Sequence, residues 1–165
     1  MQAEAGISTL GVKFGYGVGT LAQKPTTFTQ VERVNSIGGI SLSTEQIDAS
    51  ALEDKVSKYV AGRQDTGGTW EVTYNISDAV VGQLQAMISA YKEMTGDKKM
   101  WFTVWSPYMQ NAFYVIAQVP ETIGMPEVSQ NALQTVSMTF TIEEYKGLDV
   151  AIEPTTAEAT AVTEE

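Results

Sequence analysis

Apolar and polar residues alternate along several stretches of this chain, and one stretch changes to a helical period. From Thr69 to Ile76, Trp70, Val72, Tyr74 and Ile76 share one face, while Thr69, Glu71, Thr73 and Asn75 share the other. A period of two predicts a half-buried strand. Ala132 to Tyr145 is the longest alternating run. Val136, Met138, Phe140 and Ile142 face one way, and Thr135, Ser137, Thr139, Thr141 and Glu143 the other. Met100–Ser106 and Phe113–Val119 are apolar on both faces, which predicts strands covered on two sides. Pro107 to Asn111 joins them as a hairpin. Thr9 to Val18 reads as an edge strand with Leu10, Val12, Phe14, Tyr16 and Val18 on one side, free to pair within the domain or to add to a neighbour's sheet. Phe28 to Val34 reads as a short strand. Between the strands, Val80, Val81, Leu84, Met87, Ile88, Tyr91 and Met94 follow helical spacing. Ser77 caps that helix, Asp78 starts it and Gly96 ends it.

The least regular stretch runs from Gly39 to Asn75. Ile40 to Ile47 reads as extended chain, and Asp48 to Gly68 as a long polar loop. Loops near twenty residues are uncommon in compact domains and are usually functional or disordered. Leu52, Val56, Tyr59 and Val60 are spaced along this one like contact residues without a core. Two readings follow from the residues: a flap folded onto its own domain, or an arm that reaches a neighbouring subunit.

One helix among runs of antiparallel strand gives a mainly β, α+β class with one flanking α-helix. The expected division is a domain over residues 1–148, containing an N-terminal arm at 1–24 and the 48–68 loop, and an acidic extension over 149–165. Pro154 to Glu165 is Thr, Ala and Glu without a basic residue, a composition expected to be disordered on its own. The doubly apolar strands carry Trp101, Trp105 and Tyr114, which are candidates either for subunit contacts or for core packing.

Composition narrows the chemistry. The chain has neither cysteine nor histidine, which removes thiolate metal sites, the commonest general base and the commonest metal ligand. Twenty acidic residues against 10 basic ones give a formal charge of −10, a poor match to tight phosphate binding. Met1-Gln-Ala-Glu-Ala lacks the basic start and apolar core expected of a signal peptide. Gly15-Tyr-Gly-Val-Gly19 is G-x-G-x-G with no helix pattern after it, so it does not read as a nucleotide loop. Two adjacent carboxylate pairs remain, Glu53-Asp54 and Glu143-Glu144. The first lies in a polar loop beside Lys55. The second is expected to point to opposite strand faces. No acidic cluster has calcium-loop spacing. No catalytic, metal or cofactor-binding residue is assigned, and a non-enzymatic protein is expected.

The residues Ile47-Asp-Ala-Ser-Ala-Leu-Glu-Asp54, followed by Tyr59-Val-Ala-Gly-Arg-Gln-Asp-Thr-Gly-Gly-Thr-Trp-Glu-Val-Thr-Tyr-Asn75, carry a resemblance. The stretch from about Ile37 to Asp78 resembles the major tail tube proteins of long-tailed, non-contractile (siphovirus-type) bacteriophages, and the order of elements extends the match to about Leu148. The resemblance implies two packed antiparallel sheets in a β-barrel-like tube fold, shared with the tubes of contractile injection systems. It implies hexameric rings stacked into a hollow tube that conducts double-stranded DNA during ejection. The polar faces with Glu71, Thr73, Asn75, Thr139, Thr141 and Glu143 would line the lumen, free of Lys and Arg. The loop residues Leu52, Glu53, Asp54, Val56, Tyr59, Val60, Arg63 and Asp65 would contact other subunits. Implied partners are further copies of the chain and tail-tip or initiator, tape-measure and terminator proteins, with no membrane and no cofactor. The implied location is the virion tail, after synthesis in the bacterial host cytoplasm. The alternatives are an inner-tube subunit of a contractile system, a monomeric β-sandwich adhesion module, and a carboxylate hydrolase.

Overall fold

The computed structural model describes residues 5–156. Its strands are β1 (Lys13–Thr20), β2 (Thr29–Val31), β3 (Val34–Ile37), β4 (Ser43–Asp48), β5 (Tyr59–Asp65), β6 (Thr69–Asn75), β7 (Lys98–Trp105), β8 (Asn111–Gln118) and β9 (Thr135–Val150); the helix α1 spans Asp78–Glu93. Seven strands form one antiparallel sheet in the order β2-β1-β7-β8-β9-β6-β3, and β4 and β5 form a separate two-stranded sheet. The fold is mainly β with a single helix.

The alternating runs behave as their period dictates. Trp70, Val72 and Tyr74 of β6 are buried, as are Val136, Met138 and Phe140 of β9. The two strands pair in register from Thr69↔Thr141 to Asn75↔Thr135, which aligns the apolar faces. The helix begins where its cap demands. Ser77 is extended and its Oγ accepts the Val80 amide, while Val80, Leu84, Met87 and Ile88 point into the core.

The facing layers expected as two sheets are two halves of one strongly curved sheet. Phe14 of β1 and Trp70 of β6 have ring centroids 5.6 Å apart, although three strands lie between them in the sheet. On a flat sheet that separation would be about 19 Å. The cause is local. Only Glu32 and Arg33 separate β2 from β3, and Arg33 takes a left-handed φ of 59°. β2 pairs with β1 at one end of the sheet and β3 with β6 at the other. One kinked stretch therefore spans both ends, and the Asn75 amide fastens the kink to the Arg33 carbonyl at 2.8 Å. No ladder between β2 and β3 closes the sheet into a barrel.

Other boundaries move for physical reasons. Phe28–Val34 is not one strand, because the kink divides it. The Thr9–Val18 edge strand begins only at Lys13 and is interior, between β2 and β7. The Asp48–Gly68 loop is mostly a β-hairpin, since β5 pairs back onto β4. β9 runs past residue 148 to Val150, and Ala151 and Ile152 pack against Trp101 and Tyr114, so the extension expected from residue 149 starts as part of the domain. The disorder expected of the tail falls largely on residues 157–165, which lie outside the described residues.

Candidate functional site: a polar sheet face and a bare hairpin

Two features stand outside the core. The first is the outer face of β6 and β9. Register places Glu71 beside Thr139, Thr73 beside Ser137 and Thr69 beside Thr141. The two polar stripes of the sequence are therefore one surface. Thr73 and Ser137 share a hydroxyl hydrogen bond of 2.9 Å, and Asn35 Nδ2 donates to Asn75 Oδ1 at 2.8 Å. Hydroxyls dominate this face, with Glu71 and Glu143 as its carboxylates. Its border is not free of base, as the sequence implied: Lys99 Nζ lies 3.0 Å from Glu143 and neutralises it. Gln118 Nε2 donates to the same carboxylate at 3.1 Å.

The expected opposition of Glu143 and Glu144 does not hold. A register shift against Ile116 and Ala117 interrupts the alternation of β9 here. Glu144 pairs with Lys146 at 3.1 Å, and that ammonium lies over the Trp101 ring. Each carboxylate is thus held by its own lysine, on the side of the sheet away from the helix. Among the described residues, no group of three acidic side chains gathers as a metal site.

The second feature is the β4–β5 hairpin. Every residue of β4 is exposed, and only Gly62 of β5 is half-buried. No strand of the large sheet pairs with it. Ile47, Leu52, Val56, Tyr59 and Val60 are all exposed, as are Glu53, Arg63 and Asp65. The connection between the strands is built rather than loose. The Ala49 amide donates to the Lys58 carbonyl at 2.9 Å, and the Lys58 amide to Ser50 Oγ at 2.8 Å. Asp48 accepts the Ser50 amide at 2.9 Å, and Asp54 accepts the Ala51 amide at 2.8 Å and pairs with Lys58 at 3.1 Å. Asp48 accepting from the amide two residues on, and Asp54 from the amide three residues back, are spacings at which short carboxylate side chains bond nearby backbone. At the hairpin base, Asp65 caps the Gly67 amide at 2.9 Å.

These bonds carry a pH signature. Hydrogen bonds from the Ser50 side chain and amide hold the Asp48 carboxyl below the usual carboxylate range. The Ala51 amide, then Lys58, does the same for Asp54. A depressed carboxyl stabilises its turn only while ionised. The contribution is complete above the ordinary value of 3.8 and disappears as pH falls through the lower folded values. In an NMR titration, the Ser50 and Ala51 amide resonances will therefore shift with midpoints below 3.8. Midpoints at or above that value would show that the turn is not organised by these carboxylates.

With both surfaces defined, the fold can be compared with known proteins. No family model matches the chain, and no curated protein matches it. Among the solved structures that share its architecture are the following two. A chain from the tail of an empty GTA particle, refined with helical C6 symmetry, matches with a TM-score of 0.56 and 13% identity, over 89% of this chain and 100% of that one. A chain from the six-fold symmetrised baseplate of the anti-feeding prophage matches with a TM-score of 0.50 and 11% identity, over 92% and 100%. The likeness is one of fold.

The aromatics occupy a third place. Trp101 and Tyr114 are buried and Trp105 is partly buried, but not under the helix. They lie on the opposite side of the sheet, covered by Phe28, Ala151 and Ile152. Lys24 sits 4.4 Å above the Tyr114 ring, donates to the Val150 carbonyl at 3.0 Å and pairs with Asp149 at 3.2 Å. Trp101 Nε1 donates to the Thr20 carbonyl at 2.9 Å. Sequence reasoning missed this cover. The available signal was the glycine at every second position of β1, which marks close approach of another backbone.

Proposed function

We propose that this chain is a structural subunit of a phage-type tail tube, assembling as hexameric rings that stack into a hollow conduit for double-stranded DNA. The observation that supports the reading is the shared fold with a chain of a C6-symmetric tail and a chain of a six-fold symmetrised baseplate. The two exposed surfaces support it. A face of hydroxyls with Glu71 without a basic partner among the described residues, and its border lysine already paired, suits a lumen wall that offers phosphates no cationic holding point. A projecting hairpin with exposed Leu52, Val56, Tyr59 and Val60 suits contact between subunits. Heterologous contacts of this kind close into rings in one direction and remain open in the other. In this reading the role is mechanical rather than catalytic, the subunit resides in the virion tail, and tail-tip, tape-measure and terminator proteins are its further partners.

A subunit of a contractile system or baseplate is a second reading, supported equally by the likeness to the anti-feeding prophage baseplate chain. A sheath gene beside this one would favour it, and a tape-measure gene without a sheath would favour the first.

Negative-stain microscopy with light scattering across concentration tests both. Rings or hollow tubes of uniform width are the expected result. A chain that stays monomeric at high concentration, and also after addition of the tail-tip assembly, would sink them and leave a monomeric β-sandwich binding module.

A further inference from the structure

Gly15, Gly17 and Gly19 of β1 all face the side of the sheet away from the helix, and none has room for a side chain. A Cβ on Gly15 would lie 2.7 Å from Pro154 Cβ, one on Gly17 2.7 Å from the Thr27 carbonyl, and one on Gly19 2.7 Å from the Gln23 carbonyl. The glycines form a bare track under two pieces of chain, residues 23–29 and, at Gly15, residues 151–155.

Few hydrogen bonds hold the second piece; its apolar hold is Pro154, buried against Gly15, with Ala151 and Ile152 on the second core cluster. The Gln30 amide donates to the Thr155 carbonyl at 2.8 Å and the Thr155 amide to the Phe28 carbonyl at 3.0 Å, so Thr155 covers the free edge of β2 in a parallel bridge. The Ile152 amide donates to Tyr114 Oη at 3.0 Å. Lys13 and Glu153 form a solvent-exposed pair at 2.6 Å. Beneath this segment, Thr103 stands opposite both Gly15 and Tyr114 in the register, and its hydroxyl is buried without a hydrogen-bond partner among the described residues.

We propose that residues 151–155 are a displaceable strap, and that the β4–β5 hairpin of a second copy takes their seat when subunits assemble. This rests on the self-assembling reading above. The seat already binds extended backbone, and the hairpin has unpaired outer edges on both strands. Its exposed Ile47, Tyr59 and Val60 suit the aromatic floor of Trp101 and Tyr114. Charge agrees as well. Lys24 and Lys146 beside the floor stay paired with Asp149 and Glu144, but Lys13 loses Glu153 when the strap leaves and is then free for a carboxylate of the incoming hairpin. The hairpin brings Glu45, Asp48, Glu53, Asp54 and Asp65 against Lys55, Lys58 and Arg63. Exchanging one strand for another re-pairs the Gln30 amide and the Phe28 carbonyl and leaves the β2 edge satisfied.

The chain contains no cysteine, so Thr29→Cys with Thr155→Cys installs a single disulfide that fastens the strap. Oxidised, this variant will assemble at least tenfold more slowly than the unmodified chain, and reductant will restore the rate. Assembly of the oxidised form at the unmodified rate overturns the proposal. Mixed Thr29→Cys and Val60→Cys chains will cross-link between copies in the assembled state; failure to do so removes the hairpin as the occupant. Hydrogen exchange tests the strap without assembly. The Gln30 and Thr155 amides of the unassembled chain will exchange at least a hundredfold faster than the amides of β7. Protection equal to β7 overturns the strap even in a chain that forms tubes. Fast exchange in a chain that never assembles keeps the strap, and refutes the tube reading and with it the hairpin as occupant.

Discussion

Replacing Phe102 with alanine will destabilise the subunit by about 3–5 kcal/mol, the usual cost of emptying a large buried aromatic site. Phe102 is fully buried and sits where the curved sheet meets itself. It stacks on Phe14 of β1 at 5.6 Å and meets Phe140 of β9 at 4.8 Å and Trp70 of β6 at 6.0 Å. These partners come from opposite halves of one sheet. The cavity left by the ring cannot collapse unless the sheet changes curvature, and the β2–β3 kink resists that. The Trp70 indole is itself pinned, because its Nε1 donates to the Gly38 carbonyl at 2.7 Å. Against a total stability of roughly 5–15 kcal/mol for an ordinary domain, this is a large fraction. The melting temperature should fall by about 10 °C or more. Urea unfolding of the unassembled subunit gives the number directly. A loss of less than about 1 kcal/mol would show that the site collapses freely and that the aromatic cluster does not hold the curvature.

The same cluster shows which parts of the fold the residue pattern reveals. Strands β6 and β9, helix α1 and the β7–β8 hairpin were legible because each buries a defined face, and burial writes a period into the sequence. The curvature was not legible. It depends on two residues, Glu32 and Arg33, and on a left-handed φ that no periodicity reports. β5 was hidden for the opposite reason. Tyr59-Val-Ala-Gly-Arg-Gln-Asp65 has both faces in solvent, so nothing selects alternation. The polar stripes of β6 and β9 were each visible, but their union into one surface follows from the register, where Glu71 meets Thr139. Lys99 reaches that surface from β7, a strand whose apolar character drew attention to its tryptophans instead. Leu52, Val56, Tyr59 and Val60 are exposed in the structure, and their reading as a loop understated their order. The hydrogen bonds of Asp48, Ser50 and Asp54 hold that tip in shape.

That order motivates the largest effect expected on assembly. Replacing residues 43–65 with two glycines will abolish tube formation while leaving the subunit folded. The excision is geometrically permitted, because Ser43 and Asp65 are paired and the chain enters and leaves the hairpin side by side. It should also be thermodynamically mild. The hairpin contributes no residue to either core cluster, so its removal takes no buried apolar side chain from the domain. The expected change in unfolding free energy is within about 1 kcal/mol. A two-stranded hairpin is marginal by itself in water, and this one also exposes Leu52 completely and Val56 at 76%. Such a projection is stabilised most by a partner that covers it, which in the tube reading is another subunit. Its loss should raise the concentration needed for assembly at least a hundredfold, or remove assembly entirely. Leu52→Asp with Val56→Asp should act in the same direction without shortening the chain, since both side chains would carry charge into the contact. Light scattering reads assembly, and circular dichroism with urea unfolding reads the subunit. Normal tubes from the excised chain would exclude the hairpin from the subunit contact. An unfolded excised chain would place the hairpin within the domain's own stabilising structure, against the exposure of its strands.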